Sequence, residues 1–193
     1  MKLEVKPVTL EGEHVRLEPL SLEHAPGLFA CGQEAQDWAY MPHGCFVDLA
    51  DCQRWIEEAN ATADHLPFAI VETTTSQPVG SSRFLAIRPE HRGLEIGWTW
   101  LGRDWQRTPV NTEAKLLLMG HAFETLGAIR VEYKTDARNE RSQKALLRIG
   151  ATREGVFRQH MVVQDGYLRD SVYFSVIDRE WPAVKQGLLD KLG

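Results

Sequence analysis

Three short stretches carry side chains whose types and spacing suit chemistry. In the first, Gln106, Arg107, Thr108, Pro109, Val110 and Asn111 form a loop, and Thr112, Glu113 and Ala114 open the most regular helical pattern in the chain. Backbone N–H groups at a helix start lack intrahelical partners, and together with the helix dipole they make an anion site. Arg107 and Thr108 add a charge and a hydroxyl donor. In the second stretch Asn139 and Ser142 stand three apart, so both project the same way from a helix's first turn, and Asn139 is itself a ready N-cap. In the third, GLEIGWTWL, strand alternation sends Leu94, Ile96, Trp98 and Trp100 one way and Glu95, Gly97 and Thr99 the other. A carboxylate on such an apolar strand beside a cleft is a candidate general base, its pKa raised by burial. Paired with Arg92 or Arg83, the same Glu95 would be an ordinary strand carboxylate. Glu132 on the following strand suits cross-strand charge pairing.

The elements that position these residues follow from periodicity. A strand is expected near His14–Leu20, then Ser21 as an N-cap with His24 at the capping-box position, opening a helix interrupted by Pro26 and Gly27. Asp48 caps a second helix carrying Leu49, Cys52, Ile56 and Ala59. Three strands follow, LPFAIVET, QPVGSSRFLAIR and GLEIGWTWL, the first two joined as a hairpin at Ser76–Pro78. A helix from Thr112 to Leu126, capped by Asn111 or Thr112 and stopped by Gly127, leads into the strand AIRVEYKT. Asn139 caps another helix that Gly150 ends, a long hairpin turns at Asp165-Gly166, and a short helix follows from Glu180. The expected fold is α/β (α+β): a mixed central sheet of about seven strands with helices on both faces. The crossover through the Thr112 helix should set two parallel strands side by side. Anionic ligands bind at the carboxyl ends of such strands.

With 193 residues, 43% of them hydrophobic, and no long linker, the chain fits one domain over residues 1–193. No apolar run approaches the ~18 residues of a membrane span, and the N-terminus has no signal-peptide core. Cys31, Cys45 and Cys52 have neither disulfide-framework nor zinc spacing, which points to free thiols in a reducing cytoplasm. Seven scattered histidines predict no metal site. Net charge is −5, yet residues 101–160 hold 11 Lys/Arg against 7 Asp/Glu, a local balance of +4. That contrast favours a small polyanionic ligand over nucleic acid.

The segments LEIGWTWLGRDWQRTPVNTEAKLLLMGHAF and RVEYKTDARNERSQKALLRIGATREG resemble the GNAT superfamily of acetyl-CoA-dependent N-acetyltransferases, in particular its RimJ/RimL-like branch. The element order is similar from end to end, while the motifs are dense only over residues 94–150. The resemblance implies direct transfer of acetyl from acetyl-CoA, with no metal, to a primary amine. The acceptor would be a protein or peptide N-terminus, or else a small-molecule amine such as an aminoglycoside, polyamine or amino acid. A non-catalytic CoA-binding protein of the same fold is the alternative of a different class.

By the same resemblance Gln106, Arg107, Thr108, Val110, Asn111, Thr112, Glu113 and Ala114 would wrap the CoA pyrophosphate. Pro109 and Asn111 stand where the family's loop has small residues, so one phosphate contact would be missing. Asn139 would meet the pantetheine arm, with Arg138 and Arg141 near the phosphates. Ser142 would protonate the departing thiolate, because Leu146 stands where many relatives carry a tyrosine. Glu95 would deprotonate the amine through water. Backbone groups near Trp100 and Leu101 would bind the acetyl and pantetheine portion, and Trp38, Tyr40 and His43 would line the acceptor pocket. Cys45 or Cys52 as a covalent acyl carrier is less economical. Family habit and the long C-terminal hairpin make a homodimer an expectation.

Overall fold

The crossover expected from the sequence is present in the computed structural model, which describes residues 2–193. Strands β1 (Leu10–Glu11), β2 (Val15–Pro19), β3 (Leu66–Glu72), β4 (Pro78–Arg88), β5 (Gly93–Leu101), β6 (Arg130–Asp136), β7 (Thr152–Val162) and β8 (Leu168–Ile177) form one sheet, in the order β1-β2-β3-β4-β5-β6-β8-β7. The two-residue β1 brings the count to eight. Every neighbouring pair is antiparallel except β5 and β6, which run parallel through Gly93↔Arg130, Leu94↔Val131 and Glu95↔Glu132. Beyond Glu95 the two part. β5 stays with β4 as far as Leu101↔Gly80, while β6 stays with β8 as far as Asp136↔Ser171. The result is a wedge between two strands of a continuous sheet.

A bulge reshapes the wall of that wedge. Gly97 opposes Arg83 and Trp100 opposes Ser81, so β5 takes three steps where β4 takes two. Trp98 absorbs the extra residue with φ +50°, in the left-handed region. The alternation expected for GLEIGWTWL therefore reverses midway. Leu94, Ile96 and Leu101 face one apolar cluster, with Phe68, Phe84, Leu118, Val131 and Phe174. Trp100 faces the opposite cluster, with Trp38, Phe46, Trp55 and Ile56.

Helices cover both faces. α1 (Ala25–Cys31), α2 (Ala35–Trp38) and α3 (Leu49–Ala61) supply the Trp38 cluster. α4 (Pro109–Gly120), α5 (Glu140–Arg148) and α6 (Trp181–Leu189) supply the Leu118 cluster. Ser21 and His24 exchange capping contacts, and α1 runs through Pro26 and Gly27, because proline is tolerated in a helix's first turn. α4 begins three residues earlier than the sequence suggests. Thr108, not Asn111 or Thr112, is its N-cap, and Pro109 takes the first helical position, where a missing N–H loses nothing. The β7–β8 turn is made by Asp165 (φ +59°) and Gly166 (φ +72°), as the Asp-Gly pair predicts.

Glu113 has a different role from the ligand contact expected of it. Its buried carboxylate accepts backbone N–H bonds from Glu13 (2.9 Å), His14 (2.7 Å) and Val15 (2.7 Å), clamping the β1–β2 turn onto α4. Gly12 makes room for it, since a Cβ there would lie 2.6 Å from the carboxylate. Removing the carboxylate strands three donors. Glu113→Ala should therefore lose about 3 kcal/mol in urea unfolding, with a fall in Tm of roughly 6–12 °C. A loss below about 1 kcal/mol would show that the turn holds without the clamp.

Candidate active site

Glu95 is the last β5 residue paired to β6, and its side chain lies on the face opposite Leu94 and Ile96. It is 3% exposed, and Oε2 accepts from Lys134 Nζ at 3.1 Å. Neither Arg83 nor Arg92 is its partner. Arg92 donates Nε to the Gly127 carbonyl at 2.9 Å, and Arg83 packs against indole rings. Gly97 leaves the space Glu95 occupies, since a Cβ there would lie 2.8 Å from Oε1. Burial pushes the Glu95 carboxyl above the usual carboxylate range, with the Lys134 ammonium opposing it. Glu132, by contrast, bonds Arg88 (2.8 Å) and Arg130 (3.0 Å), and despite its burial these hold its carboxyl below the ordinary value. Of the two carboxylates, Glu95 has the environment of a base.

The wedge opens toward the N-termini of α4 and α5. Thr108 Oγ1 accepts from Val110 N at 3.4 Å and donates to the Trp105 carbonyl at 2.7 Å. Val110 and Asn111 carry the first backbone N–H groups of α4, since Pro109 has none. Gln106 Nε2 donates to the Leu101 carbonyl (2.9 Å), and Arg141 Nη1 donates to Gln106 Oε1 (2.9 Å). Arg148 donates to Thr112 Oγ1 at 2.8 Å, joining α5 to α4. Arg107 stands exposed in the same loop, with φ +62°. Asn139 Oδ1 caps α5 by accepting from Ser142 N at 3.0 Å, while Ser142 Oγ has no hydrogen-bond partner among the described residues. Open N–H groups, a helix dipole and guanidinium groups suit a polyphosphate, and a free hydroxyl is a proton donor.

Several expected contacts fall elsewhere. Glu113 points into its clamp and Ala114 into the core, so neither side chain reaches the loop. Trp38 is 1% exposed and donates Nε1 to the Gly32 carbonyl (2.9 Å), packing 4.8 Å from Trp100. Trp38 and Trp100 are thus core, and the Leu101 side chain joins the opposite core, while the β5 edge that carries Trp100 and Leu101 has no β6 partner beyond Glu95. Arg138 is held by Asp136 (Nη2–Oδ2 2.8 Å) and stacks on Tyr167 (3.5 Å) and Tyr40 (5.6 Å). Tyr40 and His43 lie in the partly exposed loop before α3. Gln164, at the β7–β8 turn, donates to the carbonyls of Met41 (2.6 Å) and His43 (3.1 Å), tying that loop to the hairpin. Cys31, Cys45 and Cys52 are unpaired. Burial pushes the thiols of Cys31 and Cys52 up to about 12, so neither offers a nucleophilic thiolate.

Sequence reasoning missed Lys134 and Lys115, and named Arg83 only as a partner for Glu95, which it is not. Lys134 alternates with Glu132 and Asp136, a pattern that places it on the Glu95 face. Lys115 lies three residues before Leu118 and four before Met119, which puts it on the buried side of α4. It is 5% exposed, donates Nζ to Thr99 Oγ1 at 2.7 Å and lies 5.6 Å from the Tyr133 ring centre. Thr99 in turn contacts Ser82 Oγ at 2.7 Å. No carboxylate lies within ion-pair range of Lys115 among the described residues, and burial draws its ammonium down to about 7.

Residues 14–152 match the family described as Acetyltransferase (GNAT) domain. The chain is similar to the crystal structure of a GCN5-related N-acetyltransferase from Brucella melitensis. The TM-score is 0.95 and the identity 34%, over 100% of this chain and 88% of that one. It is 25% identical over 171 residues to YoaA of Bacillus subtilis, an uncharacterised N-acetyltransferase, covering 87% of this chain and 96% of the relative. YdaF of the same organism, named as a candidate ribosomal N-acetyltransferase, is 35% identical over 95 residues, 49% of this chain and 51% of its own.

The buried Lys115 has a consequence for stability. Its folded value is about 7 against an ordinary 10.5, so between these pH values the unfolded chain holds a proton that the folded chain has released. Its contribution to stability therefore rises with pH across that window. Lys115→Met should melt above the wild type near pH ~6.5, and the gap should narrow toward pH ~10. Parallel Tm–pH curves for the two proteins would show that Lys115 keeps its proton.

Proposed function

Since the chain belongs to the GNAT family of acetyl-CoA-dependent N-acetyltransferases, we propose that it acetylates the amino terminus of a protein or peptide at the β5–β6 wedge. The observation that carries the reading is Glu95, a buried carboxylate at the point where the two strands part, with its pKa raised. Bound acetyl-CoA supplies an acetyl group activated as a thioester. The Asn111 N–H group, the α4 dipole, Arg107 and Arg141 receive its diphosphate, with Val110 spent on the Thr108 cap and Gln106, Thr108 and Thr112 fixing the loop. Asn139 spends its carbonyl on the α5 cap, leaving its amide N–H groups for the pantetheine arm.

Glu95 accepts the proton of the incoming ammonium, directly or through one water, so that the amine presents a lone pair. Lys134 anchors Oε2 and leaves Oε1 toward Gly97. Ser142 Oγ returns a proton to the sulfur. Tyr40 and His43, held against the hairpin by Gln164, border the acceptor side. The peptide acceptor draws support from the likeness to YdaF, which is named as a candidate ribosomal N-acetyltransferase. We take residues 1–193 as one domain, since a single sheet runs from Leu10 to Ile177, and a cytoplasmic location as the one its unpaired thiols suit. No helix is long and apolar enough to cross a membrane among the described residues.

Two measurements test this reading. Saturating acetyl-CoA, at about 100 times its Kd, should add about 2.7 kcal/mol and raise Tm by roughly 5–10 °C, while ATP should not. Because the active form of Glu95 is unprotonated, kcat/KM for a peptide acceptor should fall as pH drops through its raised pKa. Glu95→Gln should remove that acid limb and lower kcat by about 100-fold or more, with acetyl-CoA affinity unchanged. Equal losses of kcat and acetyl-CoA affinity would make Glu95 a structural residue.

A further inference from the structure

Two guanidinium groups on the Glu95 face of the sheet are buried without an acceptor. Arg83 on β4 is 3% exposed and Arg169 on β8 is 5% exposed, and neither Nε has a hydrogen-bond partner. Neither makes an ion pair among the described residues, whereas Arg88, Arg130 and Arg138 each hold a carboxylate. An unpaired buried charge is among the least favourable groups a fold can carry, and it calls for a partner. Arg169 lies in the fields of Asp136 and Glu95, which offset it. Arg83 has for compensation only the field of Glu58, an exposed residue of α3, and the His65 imidazole on its other side is a second base that feels its charge.

The surroundings of Arg83 are built rather than incidental. Its Cζ lies 4.8 Å from the Trp55 ring centre and 4.4 Å from that of Trp98. Rings hold the guanidinium but take none of its N–H groups, which spread in plane from the fork. Trp98 lies against Arg83 at the β5 bulge, with φ +50°, and such strain persists only where the surroundings hold it. Arg83 is directly opposite Gly97, which has no side chain to meet it, and Glu95 is two residues back on the same face. The Glu95 carboxylate leans toward Gly97, directly across from Arg83, and the diagonal residue spacing of about 7–8 Å is what one amino-acid unit spans with a hydrogen bond at each end. Glu95 itself is held by Lys134, so the Arg83 fork, which meets no acceptor among the described residues, is left for something else.

We infer that Arg83 is the anion subsite of the acceptor: the amine that meets Glu95 belongs to a molecule carrying a carboxylate within about one residue's length, and that carboxylate takes the in-plane N–H groups of Arg83. This rests on the acetyltransferase reading above and narrows its substrate class. Two sources have the right chemistry, an acidic side chain at the start of a peptide and the α-carboxylate of a free amino acid.

The test uses acetylated products as ligands, so that it needs no turnover. In the presence of CoA, tryptophan fluorescence follows the binding of acetyl-Ser-Glu-amide against acetyl-Ser-Gln-amide, and of acetyl-serine against acetyl-serine amide. The wild type should bind the acid of at least one pair about tenfold or more tighter than its amide, and the pair that does so identifies the source. Arg83→Gln and Arg83→Lys, checked for an intact acetyl-CoA melting shift, should bring that ratio close to one for the first and to an intermediate value for the second. Equal binding of acid and amide by the wild type in both pairs overturns the inference without any variant, as does a ratio that survives Arg83→Gln. Failure of the acetyltransferase reading would look different: no amine in a matching kinetic panel would be acetylated, while the carboxylate preference in binding would stand.

Discussion

Three residue pairs of parallel backbone, ending at Glu95↔Glu132, are the constraint from which the functional architecture follows. A parallel join between neighbouring strands requires a crossover, here α4, whose N-terminus then faces the end of the strand it left. Because β4 keeps β5 and β8 keeps β6, the strands part without breaking the sheet, and the gap has a backbone wall on either side. Glu95 and Lys134 bridge the place where hydrogen-bonded pairing stops. A carboxylate there is almost wholly buried at the edge of the gap, which is what a base with restricted solvation needs.

Charge is distributed around that gap by purpose on each side. The loop and helix starts at residues 106–112 and 139–142 collect open N–H groups and arginines, while the opposite face collects Glu95, Lys134 and Arg83 beside aromatic rings. Carboxylates on the sheet outside these regions are neutralised locally, Glu132 by Arg88 and Arg130 and Glu154 by Arg130, with Ser175 Oγ donating a further hydrogen bond to Glu154.

Much of this was legible in the chain. Asn139 and Gly150 bracket α5, Asp165-Gly166 makes the hairpin, and the crossover into AIRVEYKT is parallel, because each depends on local backbone preference or a short periodic run. Glu95 was legible as a lone carboxylate in an apolar strand. What periodicity could not reveal depended on the third dimension. The bulge at Trp98 reverses the facing of Trp100 through a one-residue mismatch with β4, which no property of β5 alone announces. Glu113 has the right position for a helix-start anion contact, but three N–H groups a hundred residues away claim it. Trp38 reads equally well as a pocket ring or a core ring, and the packing of Trp55, Phe46 and Trp100 around it decides. Pro109 marks a break by its local reputation, yet it fits the first position of α4.

The Gln164 amide, which reaches across to the carbonyls of Trp38, Met41 and His43, spans 121 to 126 residues of chain. Contacts of such sequence separation carry a large loop-closure entropy and are made late in assembly. During synthesis the loop before α3 leaves the ribosome well before the hairpin tip that fastens it. Through that interval the aromatic residues of the loop have only their own neighbours to shape them. The enclosure that would discriminate among amines is thus a property of the completed chain, acquired as its last quarter docks.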